Sequence, residues 1–517
     1  MHDAPSDTFE LPAHLPPVTW MRDGLHIPRP IPRLVAEVMD RWMGPGTGSR
    51  MAVVNGYGYI GFGARAQTPN LETAPQADAG EAWREFYLPR VRAIVNRLLD
   101  ADYSGLSPVE LLNAFDETIR DSAVAFAYTM SPVGPLSMPA QHLMSFCRKR
   151  FGEDGDLRAL TLLQGFENET AATGSGLVQL ATLAASLPEV GAALREGRFD
   201  AVATLEGGPQ FERRFREYLH EYGRGNQTWF EFHRPSWEED RSVPLGMIAA
   251  ILGQDRGRFA GAQARASAER EDLLGTSLRD LPSDEDREKL GALLAAARDY
   301  VAVIEERALW QLGANHALRF PAMALGRRFA ADGALARAED VFHLGFRELE
   351  TLAGGAVIDD LAQTVEARRA ALARWAKLTP PRFLGAPPPP GLDRIPMLSQ
   401  EFGLGIEASE EAGIVRGVGA SRGVARGVAR VILDLDDAAR FAEGEVLVCP
   451  FTAPPWTPLF GLAAAVVTDA GGVLSHAAIA AREYAIPAVT GAQNATVRIP
   501  DGALVEVDGA AGTVRLL

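Results

Sequence analysis

The chain has 517 residues, of which 47% are hydrophobic and 23% charged, the make-up of an ordinary globular protein with room for about two to four domains. Its net charge of −16 argues against a broad nucleic-acid or anionic-membrane surface, since both need basic patches, but leaves room for a phosphate site, which needs only a few local donors. Two cysteines, Cys147 and Cys449, exclude a disulfide framework and any zinc-like spacing, and they point to a reducing compartment, so a cytoplasmic protein is expected.

The N-terminus, MHDAPSDTFELPAHLPPVTW, lacks the basic and apolar regions of a secretory signal. No apolar run approaches the roughly 18 residues that a membrane span needs. Residues 1–50 read as proline-rich and irregular, and MAVVNGYGYIGF (51–62) as a strand or hairpin. From about Glu81 to Trp375 the apolar spacing turns helical. Residues 287–313 read as one long helix with a wide apolar face, and 334–352 as another. TPPRFLGAPPPPGLDRIP (379–396) fits neither helix nor central strand, because proline lacks a donor and fixes φ. A semi-rigid linker is therefore expected over 377–410, with a mainly α-helical domain over 1–376 before it. Beyond it the period becomes two. GVARGVARVILDL, EVLVCPF, AAAVVTDA, PAVTG, ALVEVDG and GTVRLL read as short strands of a compact α/β domain over 411–517.

Within that domain, TDAGGVLSHAAIAARE (468–483) sets two glycines and a serine before a histidine at the head of an apolar helix. The glycines allow φ > 0, and Ser475 suits the N-cap. His476 then falls where unpaired N–H groups and the positive end of the helix dipole meet an anion. A neutral imidazole is a nucleophile near pH 7 and can carry a labile phosphoryl group. Thr468 and Ser475 could add hydroxyl contacts, and Arg482 could neutralise charge if it folds back. For a lone histidine the plain alternative is a capping or core residue of no chemical importance. Here the surrounding pattern shifts the balance.

That pattern, from GVGASRGVARGVARVI through LVCPFTAPPWTPLFGLAAAVVTDAGGVLSHAAIAAREYAIPAVTG to DGALVEVDGAAGTVRLL, resembles the swivelling phosphohistidine domain of the phosphoenolpyruvate-utilising enzymes. The family includes phosphoenolpyruvate synthase, pyruvate phosphate dikinase and rifampin phosphotransferase. The resemblance implies that His476 is the phosphorylated residue, with Thr452, Thr468, Gly472 and Ser475 around it. Arg422 stands where relatives have proline, a departure in a turn. VNGYGYIGF, FREYLHEYGRGNQTWFEFHRPSWEED and ALWQLGANHALRFPAMALGRRFAADGALARAEDVFHL resemble, more patchily, the substrate-binding region of rifampin phosphotransferase. Tyr222-Gly223-Arg224-Gly225 replaces the relatives' tyrosine-glycine-histidine-arginine, so a family histidine is absent or shifted, to His220 or His233.

A phosphohistidine needs a donor and an acceptor. No P-loop or ATP-grasp pattern is visible, and there is no room for a phosphoenolpyruvate-handling (β/α)₈ barrel, which takes about 250 residues. Split systems of the phenylphosphate synthase type imply a separate ATP-grasp subunit that uses ATP and Mg²⁺, with no metal or cofactor held tightly by this chain. For the acceptor, Tyr218, Tyr222, Trp229, Phe230, Phe232 and Trp237 suggest a cavity for a hydrophobic or aromatic hydroxyl compound. His233 or His220 could act as base, and Arg224 or Arg234 could hold phosphoryl oxygens. Helix core with a solvated charged face explains these residues equally well. A second reading of the chain is a phosphohistidine carrier that relays phosphate to other proteins, and a third is a non-enzymatic binding or regulatory protein.

Overall fold

A computed structural model gives the fold and describes all residues except 1–6, 66, 68, 76, 77, 167, 168, 227, 254–260, 393, 394, 396, 397, 399–401, 403–410 and 412. The chain packs as two units that interleave along the sequence: Met1–Pro132, Arg224–Ser236 and Trp310–Pro390 form the first, and Val133–Gly223, Trp237–Leu309 and Gly391–Leu517 the second. Among the described residues no single helix is long and apolar enough to cross a membrane.

The first unit is helical around a core that includes Trp42, Phe115, Phe126, Phe230, Phe232 and Phe329. Its longest helix, Pro108–Met130, starts with a capping box: the Ser107 hydroxyl accepts the Glu110 N–H, and the Glu110 carboxylate accepts the Ser107 N–H. A four-stranded antiparallel sheet flanks these helices, in the order β2 (Ser49–Val54), β3 (Tyr57–Arg65), β1 (Thr19–Arg22), β4 (Phe383–Gly385). The β2–β3 hairpin turns at Asn55 and Gly56, both with positive φ, as a two-residue Asn-Gly loop requires. A side chain at Gly56 would meet Pro30 Cβ at 2.5 Å. The Tyr57 hydroxyl donates to the Trp375 carbonyl at 3.1 Å. β4 lies inside the stretch expected to be a linker. It is an edge strand, the one place in a sheet where flanking prolines cost no ladder bond. Much of 393–412, the second half of that stretch, lies outside the described residues.

Two helices expected from periodicity are divided in the structure. Residues 287–313 belong to two successive helices, Asp284–Ala297 and Asp299–His316, with the break at Arg298, whose guanidinium lies 5.1 Å from the Phe166 ring. Residues 334–352 form a 3₁₀ turn, Ala338–His343, and then a helix, Phe346–Ala353. Gly345 restarts the chain there, its N–H donating to Glu348 at 2.7 Å.

The second unit contains further helices and a mixed eight-stranded sheet, in the order β5 (Ile414–Arg416), β12 (Thr513–Leu516), β11 (Leu504–Asp508), β7 (Val424–Val431), β8 (Val446–Cys449), β9 (Ala465–Thr468), β10 (Ala488–Thr490), β6 (Val418–Ser421). β7 to β10 run parallel, and the outer strands are antiparallel. The inner strands β8 and β9 are almost wholly apolar, as burial on both faces demands: Val446 to Cys449 and Ala465 to Val467 are fully buried, whereas β7 carries Arg426 and Arg430 and is largely solvent-facing. The mainly helical region before 411 and the mixed sheet after it make this a multidomain α and α/β chain.

Candidate functional site

Open parallel sheets present ligand sites beyond the carboxyl ends of their strands. Here β8, β9 and β10 end side by side, Cys449 in register with Thr468. Thr468 and Thr490 are the last residues of their strands, and Thr452 follows β8 by three positions. All three threonines are buried. The Thr468 hydroxyl donates to the Ala470 carbonyl at 2.7 Å. The hydroxyls of Thr452 and Thr490 have no hydrogen-bond partner among the described residues. Buried hydroxyls left unpaired are costly, and a polar ligand at these strand ends would satisfy them.

From β9 the chain passes through Gly471, at φ +111°, into Ser475 and the helix His476–Glu483. A Cβ on Gly471 would stand 2.7 Å from the Ser475 hydroxyl, so only glycine fits this turn. Ser475 occupies the N-cap with extended backbone, but its hydroxyl turns back to the Gly472 carbonyl at 2.8 Å and caps no helix N–H.

His476 opens the helix and is 8% exposed. Its Nδ1 donates to the Glu305 carboxylate at 2.8 Å, and its Nε2 faces the Thr457 hydroxyl at 3.4 Å. Phe460 meets the ring edge-on at 6.5 Å. The imidazole is thus buried between polar partners on both nitrogens. At the far end of the same helix, Glu483 accepts the Gly165 N–H, and burial pushes its carboxyl up to about 7. Arg482 is buried and donates to the Ala420 carbonyl at 2.8 Å; burial pulls its guanidinium down to about 10, with Glu483, Tyr300 and Glu305 pulling the other way.

Two adjoining cavities in the second unit lie along these elements. A cleft of about 1010 Å³ is lined by Leu180, Leu183, Tyr218, Tyr222, Ala302 and Glu306, with Glu217, Glu221 and Arg214 at its walls. A cavity of about 640 Å³ shares Ser175, Gln179, Leu183 and Gln263 with it and reaches Glu483 and Tyr484. Ala302 and Glu306 stand on the Glu305 helix, while Glu483 and Tyr484 end the His476 helix.

The other expected site residues are spread over the two units. His220 is exposed near the end of the helix Gly208–Tyr222 in the second unit. Arg224 and His233 belong to the first. Arg224 is ion-paired with Asp100. Burial brings His233 down to about 3, helped by Arg234, Arg29 and Arg319 and opposed by Glu231; its ring packs on Phe342, and its Nδ1 has no partner among the described residues. Of the aromatic set, Tyr218 and Tyr222 line the cleft, Phe230 and Phe232 are core of the first unit with Trp229 packed against it, and Trp237 is buried beside Tyr218 in the second. Among the described residues no group of three His, Cys, Asp or Glu side chains could hold a metal ion. Glu305, Thr457 and Thr490 were not singled out from sequence. Glu305 lies 171 positions before His476, and no local pattern links them. Thr457 and Thr490 sit within the motif that surrounds the histidine, which was the available signal.

Residues 128–305 match the rifampicin phosphotransferase fourth domain, and residues 441–512 match the PEP-utilising enzyme mobile domain. The chain is similar to chondramide synthase cmdD of Chondromyces crocatus, 33% identical over 459 residues, covering 85% of this chain and 12% of that protein. It is 31% identical over 365 residues to rifampicin phosphotransferase of Streptomyces sviceus, covering 68% of this chain and 40% of that one. Over 102 residues it is 52% identical to phosphoenolpyruvate synthase of Aeropyrum pernix, covering 20% of this chain and 12% of the relative. The chain spans less than half the length of each of these relatives.

Proposed function

From the premise that the chain belongs to the PEP-utilising enzymes and resembles rifampicin phosphotransferase, we propose that it is the substrate-binding and phosphohistidine part of an ATP-dependent phosphotransferase. In this reading a separate ATP-grasp subunit uses ATP and Mg²⁺ to phosphorylate His476. The histidine then passes the phosphoryl group to a hydroxyl of a small molecule with an aromatic or apolar body. The observation that carries the reading is the setting of His476: Nδ1 is occupied by Glu305, and Nε2 is turned to a hydroxyl. That leaves one nitrogen as nucleophile, beside strand ends that hold two unpaired buried hydroxyls.

The cleft supports the acceptor part. Tyr218, Tyr222, Leu180 and Leu183 offer flat and apolar wall, and Glu217, Glu221 and Glu306 offer acceptors for donor groups on the same molecule. Phosphoryl transfer asks for in-line placement and exclusion of water more than for covalent chemistry.

The test is an acid-labile label. Full-length chain is incubated with γ- or β-labelled ATP, Mg²⁺ and a separate ATP-grasp subunit. His476 should be labelled, His476→Ala should not, and phenols or alcohols should discharge the label into a small-molecule phosphate ester. Discharge onto proteins alone would replace this reading with a phosphate relay, and turnover by His476→Ala would overturn it.

A further inference from the structure

A carboxylate only accepts hydrogen bonds, so of the two neutral tautomers of His476 the 2.8 Å contact between Glu305 and Nδ1 selects the one with its proton on Nδ1 and its lone pair on Nε2. The two side chains are 1% and 6% exposed, so water does not compete for this bond. The Glu305 helix also supplies Ala302 and Glu306 to the wall of the 1010 Å³ cleft. One helix therefore presents both the proton acceptor of the carrier ring and a wall of the space where an acceptor would sit.

Resting on the carrier reading of His476, we propose that Glu305 is a positioning residue: it holds the ring as the Nδ1–H tautomer, so that phosphoryl transfer runs through Nε2 and the departing imidazole leaves neutral. In the discharge step, the acceptor oxygen forms a bond to phosphorus while the Nε2–P bond breaks. The bonding pair returns to Nε2, the proton stays on Nδ1 against Glu305, and the acceptor's hydroxyl proton passes to water. Without the Nδ1 proton the leaving group would be an imidazolate anion, a far poorer one. Glu305 touches neither phosphoryl donor nor acceptor and acts through the ring alone.

The experiment uses full-length chain labelled with ¹⁵N-histidine. Two-bond ¹H–¹⁵N spectra report the tautomer of each ring, and His476 is assigned by its loss in His476→Ala. The wild type should show Nδ1–H at His476, Glu305→Ala should move it toward Nε2–H, and Glu305→Asp, which keeps a carboxylate, should restore part of the Nδ1–H form. The same proteins are then phosphorylated with potassium phosphoramidate and followed by ³¹P spectra. The wild type should carry phosphate on Nε2 and lose it about tenfold faster than Glu305→Ala, a change of about 1.4 kcal/mol in barrier. An Nδ1–H tautomer that persists in Glu305→Ala, or equal discharge rates, overturns the role of Glu305 and leaves the carrier reading standing. A His476 that takes no phosphoryl group in any of the proteins overturns the carrier reading, and the discharge role with it.

Discussion

Glu483 accepts the backbone N–H of Gly165 with both carboxylate oxygens, at 3.1 and 3.0 Å. The same helix therefore has a buried carboxylate contact at each end, Glu305 on His476 and Glu483 on Gly165. Burial pushes the Glu483 carboxyl up from 4.5 to about 7, against the Gly165 N–H and Arg482. A carboxyl raised on folding favours the folded state at low pH. Its contribution is complete below the unfolded value and is lost as pH rises to the folded one. Between about pH 4.5 and 7 the wild type should therefore lose stability relative to Glu483→Gln, which keeps an acceptor for Gly165 but cannot ionise. The full difference is of the order of 3 kcal/mol. Thermal unfolding of both proteins across this range checks it, and parallel curves would refute it.

Gly471 allows a second test. Its φ of +111° and the 2.7 Å approach of the Ser475 hydroxyl leave no place for a Cβ. Gly471→Ala should destabilise the second unit by about 1–3 kcal/mol and shift the loop that delivers His476. Less label on His476 at equal protein concentration, together with a lower unfolding midpoint, is the expected result. Gly502→Ala is the control: φ is also positive, +84°, but nothing lies within 4 Å of its Cβ, so any loss reflects backbone strain alone.

How much of this was legible in the sequence differs by feature. The strands of 424–516 could be read because glycine, proline and aspartate bound each short apolar run, whereas the short edge strands β5 and β6 before them carry no such run, and β4 was masked because the same prolines that mark a linker are tolerated on a sheet edge. The break at Arg298 carries no proline or glycine, so the 3.6-residue period runs across it unmarked. At 334–352 the opposite holds: Gly345 was visible, but apolar spacing outweighed it. His476 was legible because the motif around it is contiguous. Glu305 was not, because the contact exists only once two distant segments pack. The division of Tyr218 and Tyr222 from Phe230 and Phe232 was hidden for the same reason, since burial distinguishes a lining aromatic from a core one and composition does not.

His233 and His343, both wholly or partly removed from water, should make the protein acid-sensitive. Burial holds His233 at about 3 and His343 at about 4, the latter with Arg369 adding to the effect. A histidine lowered on folding contributes stability that is present above its unfolded value of 6.5 and is lost as pH falls toward the folded one. Unfolding midpoints should therefore drop between about pH 6.5 and 4, and the drop should shrink in His343→Leu and in His233→Leu. Histidine ring signals that titrate near 6.5 at both positions would refute the assignment.

The Arg29–Glu231 pair sets a last expectation, on stability alone. Glu231 is 3% exposed and accepts from Arg29 Nη2 at 2.6 Å, Arg29 Nε at 3.2 Å and the Thr228 hydroxyl at 2.7 Å. Burial pushes the Glu231 carboxyl up, but Arg29, His233 and Arg234 outweigh it and hold it below its ordinary value. Arg29→Ala removes the bidentate partner and leaves a buried carboxylate behind, which should cost about 3–5 kcal/mol. Arg29→Met combined with Glu231→Leu removes both charges and fills their volume, so it should cost less than the single change. Urea midpoints of the wild type, the single and the double variant decide this. A double variant that is worse than Arg29→Ala would mean that the buried charge itself, through Thr228 and Arg234, organises this part of the first unit.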